Sequence, residues 1–303
     1  MLAILGPTAV GKSAIAHDVA VRLDAEIVVA DPFQRYRGLA VAADAPGARA
    51  MAEVPYHFVG DLDRSEGSTA GEYGADAHRV IDEVRSRGRV PIVTGGTGLY
   101  VRAALCDMGF PEKVDAAARA EAERLVDLDL EGAVARLREL DVETAARIDR
   151  RNPRRVSRAL ELALSGAPTD RPTERLWDGS TRLETRLYSL VRAVPALDER
   201  IFVRVERELR DGLVDEIRLH LARADRHRAV DQIIGVREVA AMDRGEIHAD
   251  ALPAALAART RKLARRQRSW LRRQPQLCEL DLDDVPADQV VARIVNEWRN
   301  DSL

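Results

Sequence analysis

The residues best placed to do chemistry come almost at once: GPTAVGKS, residues 6–13. The pattern Gly-x-x-x-x-Gly-Lys-Ser cradles phosphates. Gly6 and Gly11 let the loop through Pro7, Thr8, Ala9 and Val10 turn its backbone N–H groups onto phosphate oxygens. Lys12 adds a point charge, and the Ser13 hydroxyl falls where a helix N-terminus would hold Mg²⁺. Such a loop binds a di- or triphosphate and leaves the reaction open.

Asp31 ends the apolar run EIVVADP, residues 26–32. It can be read as a turn or cap residue before Pro32, as a Mg²⁺ ligand, or as a general base near a phosphate. The stretch that follows is DPFQRYRGL, and the three readings stay open on these residues alone. GGTGLY, residues 95–100, is a second glycine turn after an apolar run. Its Thr97 hydroxyl would face the crevice of Lys12 and could bond a phosphate or a leaving oxygen. RTRKLARRQRSWLRR, residues 259–273, carries eight cations and no acid. Arg261, Arg265, Arg268 and Arg272 recur at helical spacing, while Leu263, Gln267 and Trp270 form another stripe expected to pack on the body. A phosphate backbone suits the cationic face. NPRRVSR, residues 152–158, is a second arginine cluster.

These residues need a scaffold. LAIL, EIVVA and RVPIVTGG read as buried strands, SAIAHDVAVRL and residues 71–88 as helices. Ala77, Ile81 and Val84 share one face of the second helix. The resulting strand–loop–helix alternation predicts a P-loop NTPase-like α/β fold, a parallel sheet flanked by helices with ligands at the strands' carboxyl ends. From about residue 111 to 165 the pattern is purely helical. The organisation expected is therefore a catalytic core of 1–110 and 185–303, with an all-helical insertion of 111–184 that contacts RNA. The Pro/Gly-rich GAPTDRPTERLWDGST closes the insertion as a loop. RLYSLVRAV, residues 186–194, returns as a strand. Helices at about 197–223, 231–241 and 250–274, a short strand CELDL and a terminal helix complete the chain.

Composition sets bounds. With 303 residues, 46% hydrophobic and 32% charged, the chain can bury a sizeable core. A net charge of −3 gives no global attraction to nucleic acid, so any such binding is local. Cys106 and Cys278 have neither metal-site spacing nor a disulfide framework. No apolar run approaches the roughly 20 residues that span a bilayer. The phosphate loop starts at Gly6, so neither a signal peptide nor a transit sequence is expected. A cytoplasmic monomer without membrane contact is the expectation, since no heptad or exposed apolar stripe argues for assembly.

Taken in order, GPTAVGKS, DPFQRYRG, VPYHFVGDLD, STAGEY, VPIVTGGTGLY, NPRRVSRALE, QIIGVRE and TRKLARRQRSWLRR resemble the tRNA dimethylallyltransferases, from residue 2 to about 280. That family transfers a dimethylallyl group from dimethylallyl diphosphate to the exocyclic amine of the adenosine just 3′ of the anticodon. The resemblance implies that the loop holds a departing diphosphate and delivers no phosphoryl group. It makes Asp31 the general base, and Lys12, the loop amides and Mg²⁺ on Ser13 the partners of the leaving charge. Thr97 would contact the oxygen of the breaking bond, and Arg204 in LDERIFVRV the diphosphate. Gln34 would place the adenosine after it leaves its stack. The surface for the tRNA anticodon arm would comprise Arg154, Arg155 and Arg158, the segment Gln232–Arg237 with Gly235, and the arginine helix with Arg261, Arg265 and Arg268.

The chain departs from the family pattern in two places. Pro32 stands where the family has serine, and AVAADAP, residues 40–46, lacks the usual threonine and lysine. Three rival readings remain. An adenylate isopentenyltransferase would need neither a helical insertion nor an arginine helix. A P-loop small-molecule kinase would have no use for GGTGLY. A nucleic-acid-binding ATPase would hydrolyse ATP without synthesis.

Overall fold

The computed structural model describes residues 1–109, 115–167, 180–274 and 276–301. They divide into two compact units, one of Met1–Asp107 and Trp177–Leu303, the other of Met108–Leu176.

In the first unit β1 (Leu2–Leu5), α1 (Lys12–Leu23), β2 (Glu26–Ala30), α2 (Ala48–Glu53), β3 (Tyr56–His57), α3 (Ala70–Ser86), β4 (Pro91–Gly95) and α4 (Gly98–Leu105) follow one another. After the helical segment come β5 (Arg186–Val191), α9 (Val194–Arg210), α10 (Leu213–Leu221), α11 (Val236–Asp243), α12 (Leu252–Leu271), β6 (Cys278–Asp281) and α13 (Ala287–Asp301). The strands form one six-stranded sheet in the order β3-β2-β4-β1-β5-β6, and every pairing is parallel. Every residue of β1, β2 and β4 is buried, as a sheet covered on both faces requires.

Register fixes what meets at the carboxyl ends. Leu5 lies opposite Gly95 and Ser189, and Ala30 lies opposite Gly95. The chain therefore leaves β1, β2 and β4 at one level, so the segments starting at Gly6, Asp31 and Gly96 emerge side by side. The Thr94 hydroxyl donates to the Ile4 carbonyl at 3.0 Å, and the Tyr73 hydroxyl to that of Val29 at 3.0 Å, bracing this level from inside. Helix α3 starts with a capping box between Thr69 and Glu72, and its Ala77, Ile81 and Val84 are fully buried.

The second unit is built from α5 (Ala116–Leu128), α6 (Leu130–Leu140), α7 (Val142–Arg147) and α8 (Pro153–Leu164). Asp115, Asp129, Asp141 and Asn152 cap the four N-termini with their side chains. Ala122, Val134, Leu137, Val156 and Leu160 form its own core. Most of the loop expected at GAPTDRPTERLWDGST lies outside the described residues.

Three expectations need correcting. The helix foreseen at 197–223 is two, because Gly212 adopts φ 95 and the chain turns there. The one foreseen at 231–241 begins only at Val236, since Val230–Gln232 is a 3₁₀ turn and Gly235 has φ 112. The one foreseen at 250–274 runs as α12 only from Leu252 to Leu271. Helices α2 and α4 and the two-residue β3 were not foreseen: the first and last of these are too short to show a period, and α4 follows directly on a glycine turn.

Candidate active site

The loop Gly6–Ser13 joins β1 to α1, and arginines hold its outer side. Arg192 Nε donates to the Val10 carbonyl at 3.2 Å and Arg200 Nε to the Ala9 carbonyl at 2.8 Å. Arg204 Nη1 donates to the Thr8 hydroxyl at 2.7 Å. With its carbonyls drawn outward, the loop can present amides inward, which is the geometry of an anion nest. Ala9 takes φ 64, which a residue with a Cβ adopts only under such constraint. Arg192 and Arg200 went unnoticed in the sequence. Arg200 lies one helical turn before Arg204 and Arg192 just ahead of α9, and single cations at such positions are too common to be informative without the fold.

Lys12 opens α1, and Ser13 follows it, exposed. Burial, with Arg204 as a neighbouring like charge, holds the Lys12 ammonium below its ordinary pKa, against the pull of Asp31 and Asp44. Arg204 stays firmly charged: burial opposes its charge, but Asp44 at 3.0 Å and Glu208 at 2.6 Å more than offset this. Two cations thus face the loop, and only Arg204 has acids in direct contact.

Asp31 follows Ala30 at the end of β2, half-buried. Its Oδ1 accepts from the Phe33 amide at 2.8 Å and the Gln34 amide at 3.4 Å, an Asx turn that fixes its direction. Burial pushes its carboxyl above the usual carboxylate range, although the Phe33 amide, Lys12 and Arg204 pull it down. Gln34 is half-buried, and its carbonyl accepts from the Gly60 amide at 2.9 Å. Thr97 is the N-cap residue of α4, yet its side chain makes no capping hydrogen bond. Lys12, Asp31, Thr97, Arg204 and the whole loop therefore share one end of the sheet.

The departing segment 40–46 is tied down by other means. Glu216 accepts from the Val41 and Ala42 amides at 3.1 and 2.8 Å. Asp44, at φ 49, bridges Arg204 and Arg207. The Asp44 carboxylate partly neutralises the two guanidinium groups it bridges.

Of the proposed RNA-facing residues, Arg265 is exposed and Arg268 half-buried on α12, while Arg261 pairs with Asp198 at 3.5 Å. Among the described residues Lys262, Arg265, Arg266, Arg268, Arg272 and Arg273 have no acidic partner. Arg259 belongs to a different task. It holds Glu238 at 2.9 Å and the Gln232 carbonyl at 2.9 Å, and Glu238 in turn accepts from the Gly235 amide at 3.0 Å. Arg237 donates to the Gln232 side chain at 2.9 Å, so the turn at 232–237 is a braced loop. In the second unit Arg154 and Arg155 are exposed at the start of α8, and Arg158 pairs with Glu161 at 2.7 Å.

Two residues of the stripe opposite the cations sit on the site itself. Gln267 is 6% exposed and accepts from the Thr8 amide at 2.7 Å. A Cβ at Gly98 would stand 2.4 Å from the Trp270 ring, so only glycine admits that indole against the start of α4. Leu263, Gln267 and Trp270 were expected only to pack; Gln267 does more.

Mg²⁺ can be tested against these side chains. No group of three or more His, Cys, Asp or Glu suited to a metal exists among the described residues. Mg²⁺ needs only one or two protein oxygens when phosphates and waters complete its shell, so the exposed Ser13 hydroxyl fits that role.

Comparisons with known proteins agree with this architecture. The family model described as IPP transferase matches residues 34–274. A tRNA dimethylallyltransferase of Exiguobacterium sp. is 36% identical over 278 residues, 90% of this chain and 88% of the relative. That of Salinispora arenicola is 37% identical over 284 residues, 93% and 82%. The crystal structure of the full-length tRNA isopentenylpyrophosphate transferase from Bacillus halodurans superposes with a TM-score of 0.71 at 30% identity, covering 99% of this chain and 95% of that one. A eukaryotic dimethylallyltransferase acting on tRNA shares the fold, with a TM-score of 0.77 at 21% identity. With a family match across most of its length and relatives above 35% identity, this chain belongs to the IPP transferase family.

Proposed function

We propose that this protein is a tRNA prenyltransferase. It transfers the dimethylallyl group of dimethylallyl diphosphate to the exocyclic N6 amine of the adenosine 3′ of the anticodon and releases diphosphate. The observation that carries the reading is the double use of α12. Its exposed face offers unpaired cations to a polyanion, while its buried Gln267 holds the phosphate loop. A kinase acting on a small molecule has no use for that arrangement.

In this reading the amine nitrogen attacks C1 of the dimethylallyl group as the bond from C1 to the diphosphate oxygen breaks. Asp31 takes the amine proton, and burial, by raising its pKa, makes it a stronger base than an exposed carboxylate. Lys12, Arg204 and the loop amides receive the charge that grows on diphosphate. Ser13 would hold Mg²⁺, which when bound supplies further neutralisation of the diphosphate. Thr97, with a hydroxyl not spent on its helix, contacts the oxygen of the breaking bond. Gln34 orients the adenosine. The exposed arginines of α12, the 232–237 turn, and Arg154, Arg155 and Arg158 of the helical unit contact tRNA phosphates. No described helix is long and apolar enough to cross a membrane; we place the enzyme in the cytoplasm, as a monomer.

The deciding experiment is one incubation with dimethylallyl diphosphate, Mg²⁺, unmodified tRNA and AMP, read by nucleoside mass spectrometry. Prenylated adenosine from tRNA alone supports the proposal. Prenylated AMP alone replaces it with a free-nucleotide transferase, and absence of both products removes prenyl transfer.

A further inference from the structure

Arginines hold the Val10 and Ala9 carbonyls and the Thr8 hydroxyl of the phosphate loop, but the Thr8 amide is held by a neutral side chain. Gln267 Oε1 accepts from the Thr8 amide at 2.7 Å, and both residues are buried. The other end of the same side chain lies in the narrow space between the two glycine turns. A Cβ at Gly96 would stand 2.6 Å from Gln267 Nε2 and 2.8 Å from the Gly6 carbonyl oxygen. One amide side chain therefore lies against two of the loops that leave the carboxyl end of the sheet. Thr8 is fixed twice over, since its hydroxyl accepts from Arg204 at 2.7 Å.

The chemistry of the contact is selective. An amide N–H already committed to a side-chain acceptor does not turn toward phosphate, and it sets the plane of the peptide before it. The amides further along then have a single orientation toward an anion. A carboxylate would accept the same hydrogen bond but add a negative charge behind a site built for diphosphate. An aliphatic side chain would leave the buried Thr8 amide without a partner. A neutral acceptor of glutamine's length meets both demands.

We propose that Gln267 is a positioning residue for the leaving group: by taking up the Thr8 amide and spacing the Gly6 and Gly96 turns, it sets the phosphate loop in its diphosphate-binding conformation. The inference rests on the reading of this site as a prenyl diphosphate site. Its test does not need turnover, because inorganic pyrophosphate is itself a probe of the loop.

Gln267→Leu keeps the bulk and removes the acceptor; Gln267→Glu keeps the acceptor. Pyrophosphate affinity is measured by titration calorimetry on the full chain, and tRNA affinity by filter binding without donor. We expect Gln267→Leu to weaken pyrophosphate at least tenfold while tRNA affinity stays within twofold. Gln267→Glu should fall between wild type and the leucine variant. In turnover, the donor KM should rise while the tRNA KM does not. Unchanged pyrophosphate affinity in Gln267→Leu overturns the proposal. So does a parallel loss of pyrophosphate affinity, tRNA affinity and melting temperature, which would make the glutamine a packing residue only. If wild type binds pyrophosphate but prenylates nothing, the functional reading fails while the role of Gln267 in the loop is still decided by the leucine variant.

Discussion

As the proposed base, Asp31 meets two opposed demands. As a base it must be ionised, yet burial raises its pKa, so the folded protein binds its proton more tightly than the unfolded chain does. Stability is then lost as pH rises from the ordinary carboxylate value through the raised one, and at neutral pH the ionised carboxylate is a net cost. Asp31→Asn keeps an oxygen for the Phe33 and Gln34 amides and removes that charge. Turnover should fall about 10²–10⁴-fold, tRNA affinity should be unchanged, and the melting temperature should rise at pH 8, the gain shrinking as pH falls toward about 4. Retained activity would remove Asp31 as the base. The same pKa directions shape the wild-type profile of kcat/KM. Its acid limb, from Asp31, should lie above the usual carboxylate value, and its alkaline limb, from Lys12, below the usual lysine value. An acid limb at the ordinary carboxylate pKa would separate Asp31 from the rate. Asp44 offers a third test. It sits 3.0 Å from Arg204, where it competes with an incoming anion. Asp44→Asn should tighten pyrophosphate about fivefold, as removal of a charge worth about 1 kcal/mol implies. Weaker binding would mean that Asp44 orders Arg204 more than it opposes the anion.

At the scale of elements, the proposed function makes α12 the helix that joins tRNA contact to the phosphate loop. Replacing Arg265 and Arg268 with glutamine should weaken tRNA binding and reduce the slope of log K against log salt by about 1–2, since each phosphate contact contributes roughly 0.7–0.9. Filter binding from low to high salt checks this, and an unchanged slope would move the RNA surface elsewhere. The cationic face of this helix was legible because eight cations without an acid stand out in any window. So were β1, β4 and the phosphate loop, because a short apolar run that ends in a glycine turn marks a buried strand feeding a loop. The task of Gln267 was not legible. Helical spacing put it on the packed face, but its partner Thr8 is 259 residues away, and nothing local to either residue signals the pairing. Arg192 and Arg200 escaped notice for the same reason. The break at Gly212 was readable in principle, but an Asp-Gly pair inside a strong helical period was outweighed by the periodicity on either side of it.

At the scale of the molecule, a net charge of −3 means that tRNA must find local patches, and the arginine clusters proposed to meet it lie in two separately packed units. The core of the sheet unit and that of the helical unit are distinct sets of buried residues. Arg154 and Arg155 lie on α8 of the helical unit, and Arg265 and Arg268 on α12 of the sheet unit. Energetic coupling between mutations requires a shared partner or a shared rearrangement, and independent sites add. Arg154 and Arg155 changed to glutamine should therefore lower tRNA affinity without altering pyrophosphate affinity, because the side chains that hold the loop among the described residues, Gln267, Arg192, Arg200 and Arg204, belong to the sheet unit. Combined with the α12 pair, the losses in tRNA affinity should multiply to within about twofold. A quadruple variant that loses no more than either pair would show that tRNA engages one patch only after the other, and the two arginine clusters would then act as successive contacts in place of simultaneous ones.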